Sequence, residues 1–131
     1  MSSDINNILD LPFFAEERYS ERVSHKTKRD RKVETKTFKD TANAVKVLTA
    51  GFAKYGIKPG DHVGFFVNNR FEWIITDFAI MALKAVSVPR GSDTAPSEVK
   101  FIYNHSDSRY LILENVTQLM ELTSVFQNED W

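Results

Sequence analysis

Two short polar segments hold the residues whose types and spacing could bind an anion. Each follows an apolar, β-rich run, and together they supply four candidate ligands: Asn69, Arg70, Arg90 and Gly91. A helix that begins beside such a loop offers free N–H groups, and arginine adds a fork of donors, so these segments could hold a phosphate or a carboxylate. We favour the plainer interpretation, in which Asn69 caps a helix and both arginines are solvated, because cap residues occur at any helix start.

The sequence offers little support for catalysis or for a metal. Neither GxGxxG nor GxxxxGK[ST] occurs, and the lack of cysteine excludes thiolate chemistry and disulfides. His25, His62 and His105 are not spaced as metal ligands. Asp93 and Asp107 could pair for acid–base work, but aspartates in loops more often form turns. We therefore predict no catalytic residue, no metal site and no cofactor bound by this chain itself.

Composition indicates one folded domain without a strong overall electrostatic field. Hydrophobic residues make up 42% of the 131 residues, which is enough for a core. The chain has 17 basic and 18 acidic residues, so its charges nearly cancel. Seven basic residues crowd between positions 26 and 39, where a solvated hairpin edge is favoured over contact with acidic headgroups or nucleic acid. No leader and no transmembrane segment are predicted, so we expect a cytoplasmic protein, for which a peripheral location at the membrane also remains open.

Secondary structure is first predicted for the amino-terminal half. Residues 1–22 read as an arm with a short docking helix, and residues 23–38 as a hairpin that turns at positions 29–31. A helix follows, with Thr37 and Asp40 as a capping box and Gly56 as its stop. One face of this helix carries apolar residues at steps of three and four: Phe38, Ala42, Val45, Leu48, Phe52 and Tyr55.

From residue 62 onwards strands and helices alternate. Predicted strands lie at 62–67, 86–89 and 110–113; predicted helices lie at 71–85, which is apolar nearly all round, and at 96–105. Asn69 with Glu72 should cap the first helix, and Thr94 or a neighbour should cap the second. A last amphipathic segment carries Val116, Leu119, Met120 and Phe126. This alternation predicts the α/β class, a parallel sheet with flanking helices after a short hairpin, within one partial domain at 23–131.

Four motifs in order resemble the amino-terminal region of AMP-forming acyl-CoA synthetases, over about eighty colinear residues. They are Thr37-Phe38, Gly-x-x-Pro-Gly-Asp-x-Val at 56–63, Asn-Arg-x-Glu-Trp at 69–73, and Val88-Pro89. The third is most similar to the long-chain fatty acid branch. Lys84 departs from the family, which usually has glycine there, and Arg90-Gly91 replaces an aliphatic residue followed by tyrosine or aspartate.

The resemblance implies an enzyme that uses ATP and Mg²⁺ to convert a fatty acid to an acyl-adenylate and then passes the acyl group to coenzyme A. In that family the phosphate loop, the adenine and ribose contacts and the catalytic lysine lie beyond the matched stretch. The resemblance therefore implies an amino-terminal portion that is inactive alone. Its partner would be the remainder of the synthetase, or a second copy bound through exposed apolar surface.

Two alternatives stay open. The chain could be an independent α/β module that binds a nucleotide or a small anion through the two polar segments. It could also be an interaction element that offers its hairpin and its amino-terminal arm to another subunit.

Overall fold

A computed structural model describes residues 5–126, apart from the side chain of Arg29. After a 3-10 turn at Ile8–Asp10, the elements are α1 Leu11–Tyr19, β1 Val23–Arg29, β2 Lys32–Thr37, α2 Phe38–Tyr55, β3 His62–Phe66, α3 Phe71–Ala82, β4 Val86–Arg90, α4 Pro96–His105, β5 Ser108–Leu113 and α5 Val116–Leu122. The predicted α/β class, with a hairpin ahead of a parallel sheet, is confirmed.

The hairpin pairs β1 with β2 in antiparallel register, and its turn falls where the sequence predicts it. Asp30 and Arg31 both take positive φ, 46° and 65°. Two successive left-handed residues match the right-handed twist of the flanking strands, as in type I′ hairpins. The pairing shifts between Val23 and His25, and there the Ser24 hydroxyl lies 3.0 Å from the carbonyl oxygen of Thr37.

Helix α2 begins and ends at the predicted signals. The Asp40 N–H donates to Thr37 Oγ1 at 3.1 Å, while the Thr37 N–H donates to the Asp40 carboxylate at 2.8 Å. Gly56 ends the helix with φ of 112°, which is left-handed. The predicted apolar face is buried at Ala42 and Val45, but its last member, Tyr55, is 79% exposed.

The second sheet is parallel, with the order β4-β3-β5. The central strand β3 buries Val63, Phe65 and Phe66 completely, as a strand between two helical layers should. One core lies around Phe65 and Ile80, and another lies around Phe66 and Val99. The sheet is therefore covered on both faces.

Helix α3 ends three residues before the predicted boundary. Lys84 is left-handed, with φ of 56°; its N–H donates to the Met81 carbonyl, and the Ala85 N–H donates to that of Ile80. These two bonds form a Schellman motif, which stops a helix and usually has glycine at the left-handed position. Most other side chains of α3 are at least partly buried, which agrees with the expectation of cover on several sides.

The last two helices lie where they are predicted, but details differ. The capping position of helix α4 is Ala95, the neighbour of Thr94, and no side chain makes a capping bond there. Thr94 donates its hydroxyl to the Gly91 carbonyl at 2.8 Å. In the final segment three of the four predicted apolar contacts are exposed, namely Val116, Leu119 and Met120. Burial falls on Leu122 and Phe126, because that side of α5 faces the Phe66 core.

The amino-terminal segment contains the predicted helix, α1, which lies against α2. Lys46 of α2 forms an ion pair with Glu16 at 3.0 Å and lies over the Phe13 ring, 5.5 Å from its centroid. Residues 1–4, and the end of the chain from 127, lie outside the described part. Within residues 5–126, no helix is long and apolar enough to cross a bilayer.

Candidate anion-binding cleft

Three of the four predicted anion ligands line one cleft at the carboxyl ends of β3 and β4. The cleft has a volume of about 350 Å³ and is lined by Asn68, Asn69, Trp73, Arg90 and Gly91, with Val67 and Pro89. The strands are held together there, since the Val67 N–H donates to the Arg90 carbonyl at 3.1 Å. The topology of a parallel sheet explains the meeting, because its carboxyl ends share one edge and commonly face a ligand.

Arg70 does not line this cleft. Its Nε donates to Glu72 at 2.7 Å, and its Nη1 lies 3.5 Å from the Glu114 carboxylate. The hydrogen bond with Glu72, together with the negative charges of both carboxylates, raises the pKa of Arg70 above its ordinary value. The guanidinium is therefore neutralised by the protein itself, and the prediction that it contributes to an anion site is not supported by its position.

The predicted helix cap at Asn69 is wrong. The capping position is Arg70, whose side chain makes no capping bond, and Glu72 binds the Arg70 side chain instead of completing a capping box. Asn69 is exposed and faces the cleft. Sequence reasoning missed this because Asn-x-x-Glu spacing fits a box, whereas here the arginine between them pairs with the glutamate.

Arg90 and Gly91 are arranged differently from each other. Arg90 is exposed and lines the cleft, and its Nη1 donates to the neighbouring Pro89 carbonyl at 2.8 Å, which uses one of the five N–H donors of its guanidinium. A β-carbon placed on Gly91 would lie only 2.5 Å from Asp93 Oδ1. Glycine at 91 thus leaves room for the Asp93 carboxylate, which a β-carbon at position 91 would meet.

The other candidate residues are in structural positions. His62 Nδ1 bonds the Ser106 carbonyl, His25 lies edge-on to Phe71, and His105 stacks on Phe101. Over residues 5–126, His, Asp and Glu side chains form no group of three that could hold a metal ion. Asp107 lies in a turn, with φ of 51°, as the preference of loop aspartates for turns predicts.

A larger apolar groove, of about 620 Å³, lies at the outer edge of β5 and was not predicted from the sequence. Tyr55 and Leu119 border it from opposite sides. The signal that could have revealed it is the run Tyr110 to Leu113, whose side chains are apolar or aromatic at every position, as is typical of a strand with apolar surface on both faces.

Fold and motifs together define the class: an α/β chain whose parallel sheet carries the turns of the motifs at 56–63 and 69–73 beside its strands. The sequence profile of the AMP-binding enzyme family matches residues 15–130. The chain therefore belongs to the AMP-binding enzyme family.

Individual relatives are long-chain ligases. The chain is 32% identical over 90 residues to the long-chain-fatty-acid–CoA ligase FadD15 of Mycobacterium tuberculosis. This alignment covers 66% of this chain and 15% of that protein. It is 35% identical over 71 residues to the peroxisomal long chain acyl-CoA synthetase 7 of Arabidopsis thaliana, covering 54% and 10%. The resemblance to the long-chain branch is confirmed by these matches. The chain spans about a sixth or less of the length of these relatives.

Solved structures show the same fold. The amino-terminal subdomain of Klebsiella oxytoca NpsA superposes with a TM-score of 0.76 at 23% identity, covering 88% of this chain and 29% of that one. The R395G form of coronafacic acid ligase from Pectobacterium brasiliense gives 0.79 at 22% identity, covering 90% and 22%. These neighbours confirm the fold, a hairpin and a parallel sheet flanked by helices, at the level of the polypeptide path.

Proposed function

We propose that this chain is the amino-terminal, scaffold-forming portion of a long-chain fatty acid CoA ligase. The complete enzyme would use ATP and Mg²⁺ to activate a fatty acid as acyl-adenylate and would then form the thioester with coenzyme A. One observation carries the proposal: the motifs shared with the family are used here to build structure. In the motif at 56–63, Gly56 ends α2, Gly60 takes φ of 84°, and Asp61 is buried beneath the turn.

The chain alone would be inactive under this proposal. Three polar residues of its family motifs are engaged in bonds within the chain: Thr37 caps α2, Asp61 accepts the Lys58 N–H at 2.8 Å, and Arg70 pairs with two carboxylates. Binding of ATP, Mg²⁺ and coenzyme A would belong to the rest of the enzyme. We infer the same cytoplasmic setting that the sequence predicts.

A chimera tests this proposal. The stretch of FadD15 that aligns with this chain is replaced by the corresponding residues of this chain, and ligation of palmitate to coenzyme A is measured. We expect activity within about tenfold of FadD15, since a scaffold that keeps its packing costs little transition-state stabilisation. The isolated chain, assayed alongside, should show none. A chimera that folds by circular dichroism but lacks activity would contradict the proposal.

A second function, binding of a small anion, is favoured by the meeting of Asn69, Arg90 and Gly91 at one cleft. An anion there would accept hydrogen bonds from Asn69 and Arg90. Calorimetric titration of the full chain with ATP and with inorganic phosphate tests it. Arg109 is an exposed arginine outside this cleft and serves as the control. A heat of binding that is lost in Arg90→Ala but kept in Arg109→Ala would support anion binding. No heat of binding in either titration would exclude it.

A further inference from the structure

Positive charge is concentrated in the hairpin and the first turn of α2. Of the 17 basic residues of the chain, seven lie at positions 26–39, together with only two of its 18 acidic residues. The rest of the chain therefore has 10 basic and 16 acidic residues. Because the opposite charges lie in different parts of the chain, they can orient it on a charged surface although its net charge is only −1.

The register of the hairpin divides it into two faces. One face consists of two cross-strand pairs, Lys26 with Thr35 and Lys28 with Val33. The other face lies toward α3, where His25 makes an edge-on ring contact with Phe71. We call the first face the outer face and the second the inner face. All four side chains of the outer face are exposed.

The two acidic residues of the hairpin lie away from the outer face. Glu34 pairs with Thr27, so strand alternation places it on the inner face. Asp30 lies in the turn, with φ of 46°. In the sequence these carboxylates look interspersed among the basic residues, but in the hairpin the pleat separates them from the outer lysines. The outer face is therefore purely basic in its charged residues.

The cations of the outer face and of the turn are not neutralised by the chain. Within the part of the chain that the structure describes, no ion pair involves Lys26, Lys28, Arg31 or Lys32. Two other lysines of the segment do have partners. Lys36 lies over the Phe71 ring, 5.8 Å from its centroid, and Lys39 lies 3.7 Å from the Glu21 carboxylate. The outer cations are thus left for water or for an external anionic surface.

The composition of the outer face favours a lipid surface over nucleic acid. Proteins that bind single-stranded nucleic acid add aromatic side chains for base stacking, and the outer face has none. It has instead an exposed valine, Val33, whose side chain is accessible over 62% of its surface, beside the lysines. An anionic bilayer offers headgroup phosphates to the lysines and an apolar layer beneath them to the valine. The apolar stems of lysine also fit this boundary.

We propose that the outer face of the hairpin docks the chain on an anionic lipid bilayer, with Lys26 and Lys28 at the headgroup phosphates and Val33 directed toward the acyl layer. Side chains packed behind the inner face would lie roughly 10 Å farther from the lipid, one packing distance of a sheet. This exceeds the Debye length of about 8 Å at physiological salt, so carboxylates there oppose docking only weakly. The proposal rests on the hairpin alone and goes beyond the ligase function.

Sedimentation of the full chain with lipid vesicles tests the docking surface. We expect binding to vesicles of equal parts phosphatidylglycerol and phosphatidylcholine, and none to phosphatidylcholine alone. Raising the salt from about 0.1 M to about 0.5 M should release the chain, because the Debye length shortens. Replacing Lys26 and Lys28 together by glutamine should weaken binding about twentyfold, at roughly fivefold for each charge near the surface. Replacing both by arginine should preserve it.

A matched control removes the same charge from another surface. Lys54 and Lys58 are exposed and lie beyond the hairpin. Lys54 is near the far end of α2, about 25 Å from Thr37 at 1.5 Å per residue. Replacing these two lysines by glutamine should change binding by less than about twofold, since they lie several Debye lengths from the docked face. Circular dichroism of each variant shows whether the hairpin variants keep the fold.

Each other outcome would overturn the proposal. No sedimentation with the anionic vesicles would leave the hairpin a solvated edge. Equal losses in the hairpin pair and the control pair would assign binding to net charge and not to this face. Tighter binding to duplex DNA or to RNA than to the vesicles at the same salt would make nucleic acid the partner. Loss of binding in a folded arginine variant would show that charge alone does not hold the chain on the lipid.

Discussion

The Glu114 carboxylate accepts a hydrogen bond from the backbone N–H of Asn68 at 2.8 Å. It thereby links the end of β5 to the end of β3, at the border of the candidate cleft. The same carboxylate lies 3.5 Å from Arg70 Nη1, and its side chain is 17% exposed. An acidic side chain thus already binds a loop N–H and an arginine that precede α3 and could otherwise bind an anion.

Replacing Glu114 with alanine should lower the free energy of unfolding by about 1–2 kcal/mol, because a charged acceptor and an ion-pair partner are both lost. Glu114→Gln should cost less, since its amide oxygen can still accept the Asn68 N–H. Glu121→Ala, on the exposed side of α5, serves as a control within about 0.5 kcal/mol of the parent. Urea denaturation measures all three. An equal loss in the alanine and glutamine variants would assign the stabilisation to the Arg70 pair.

Lys84→Gly should stabilise the protein by about 0.5–1 kcal/mol. Lysine at φ of 56° bears the steric cost that L-residues meet in the left-handed region, and glycine avoids it while the Schellman bonds remain. Lys54→Gly, within α2, should have the opposite effect by about the same amount, since a helical position favours the larger residue. Thermal unfolding measures the stability of both variants against the parent. Destabilisation by glycine at 84 would show that the lysine side chain makes a compensating contact.

Much of the fold followed from local signals in the sequence. The capping box of Thr37 and Asp40 and the stop at Gly56 defined α2, because caps depend on neighbouring backbone groups alone. The end of α3 was misplaced because Lys84 does not look like a helix stop, although the family's glycine at that position was already a hint.

The site was harder to predict than the fold. That Asn69, Arg90 and Gly91 would meet followed from strand order, since parallel strands bring their carboxyl ends together. The pairing of Arg70 with Glu114 could not be predicted, because the two residues are 44 positions apart and only the packing of β5 beside β3 joins them. The prediction of which α5 residues are buried was wrong for the same reason, because a helical pattern does not say which side of the helix faces the sheet.

Asp61→Ala should lower the free energy of unfolding by about 2 kcal/mol. The carboxylate is buried, accepts the Lys58 N–H at 2.8 Å, and lies 3.2 Å from Arg109 Nη1, so its loss leaves a turn donor without a partner. Arg109→Ala should cost less than about 1 kcal/mol, because that side chain is 69% exposed and its ion pair is screened. Chemical denaturation measures the free energy of unfolding of both variants. A larger loss for Arg109 than for Asp61 would contradict the assignment of this aspartate to the turn.

The capping box of α2 should make stability depend on pH. Hydrogen bonds from Thr37, first from its backbone N–H and then from its side chain, lower the pKa of Asp40 below 3.8, with a smaller contribution from the charges of Lys36 and Lys39. Because the folded pKa lies below the unfolded one, the carboxylate contributes stability above about pH 4, and this contribution is lost as pH falls through the folded pKa. The unfolding free energies of the parent and Asp40→Asn should therefore differ most above that pH and converge below it. Thr37→Ala, which removes the cap to the Asp40 N–H but keeps the backbone donor, should cost about 1 kcal/mol and retain part of the pH dependence. A constant difference between the parent and Asp40→Asn from neutral pH into the acid range would show that the carboxylate's charge has no part in holding the start of α2.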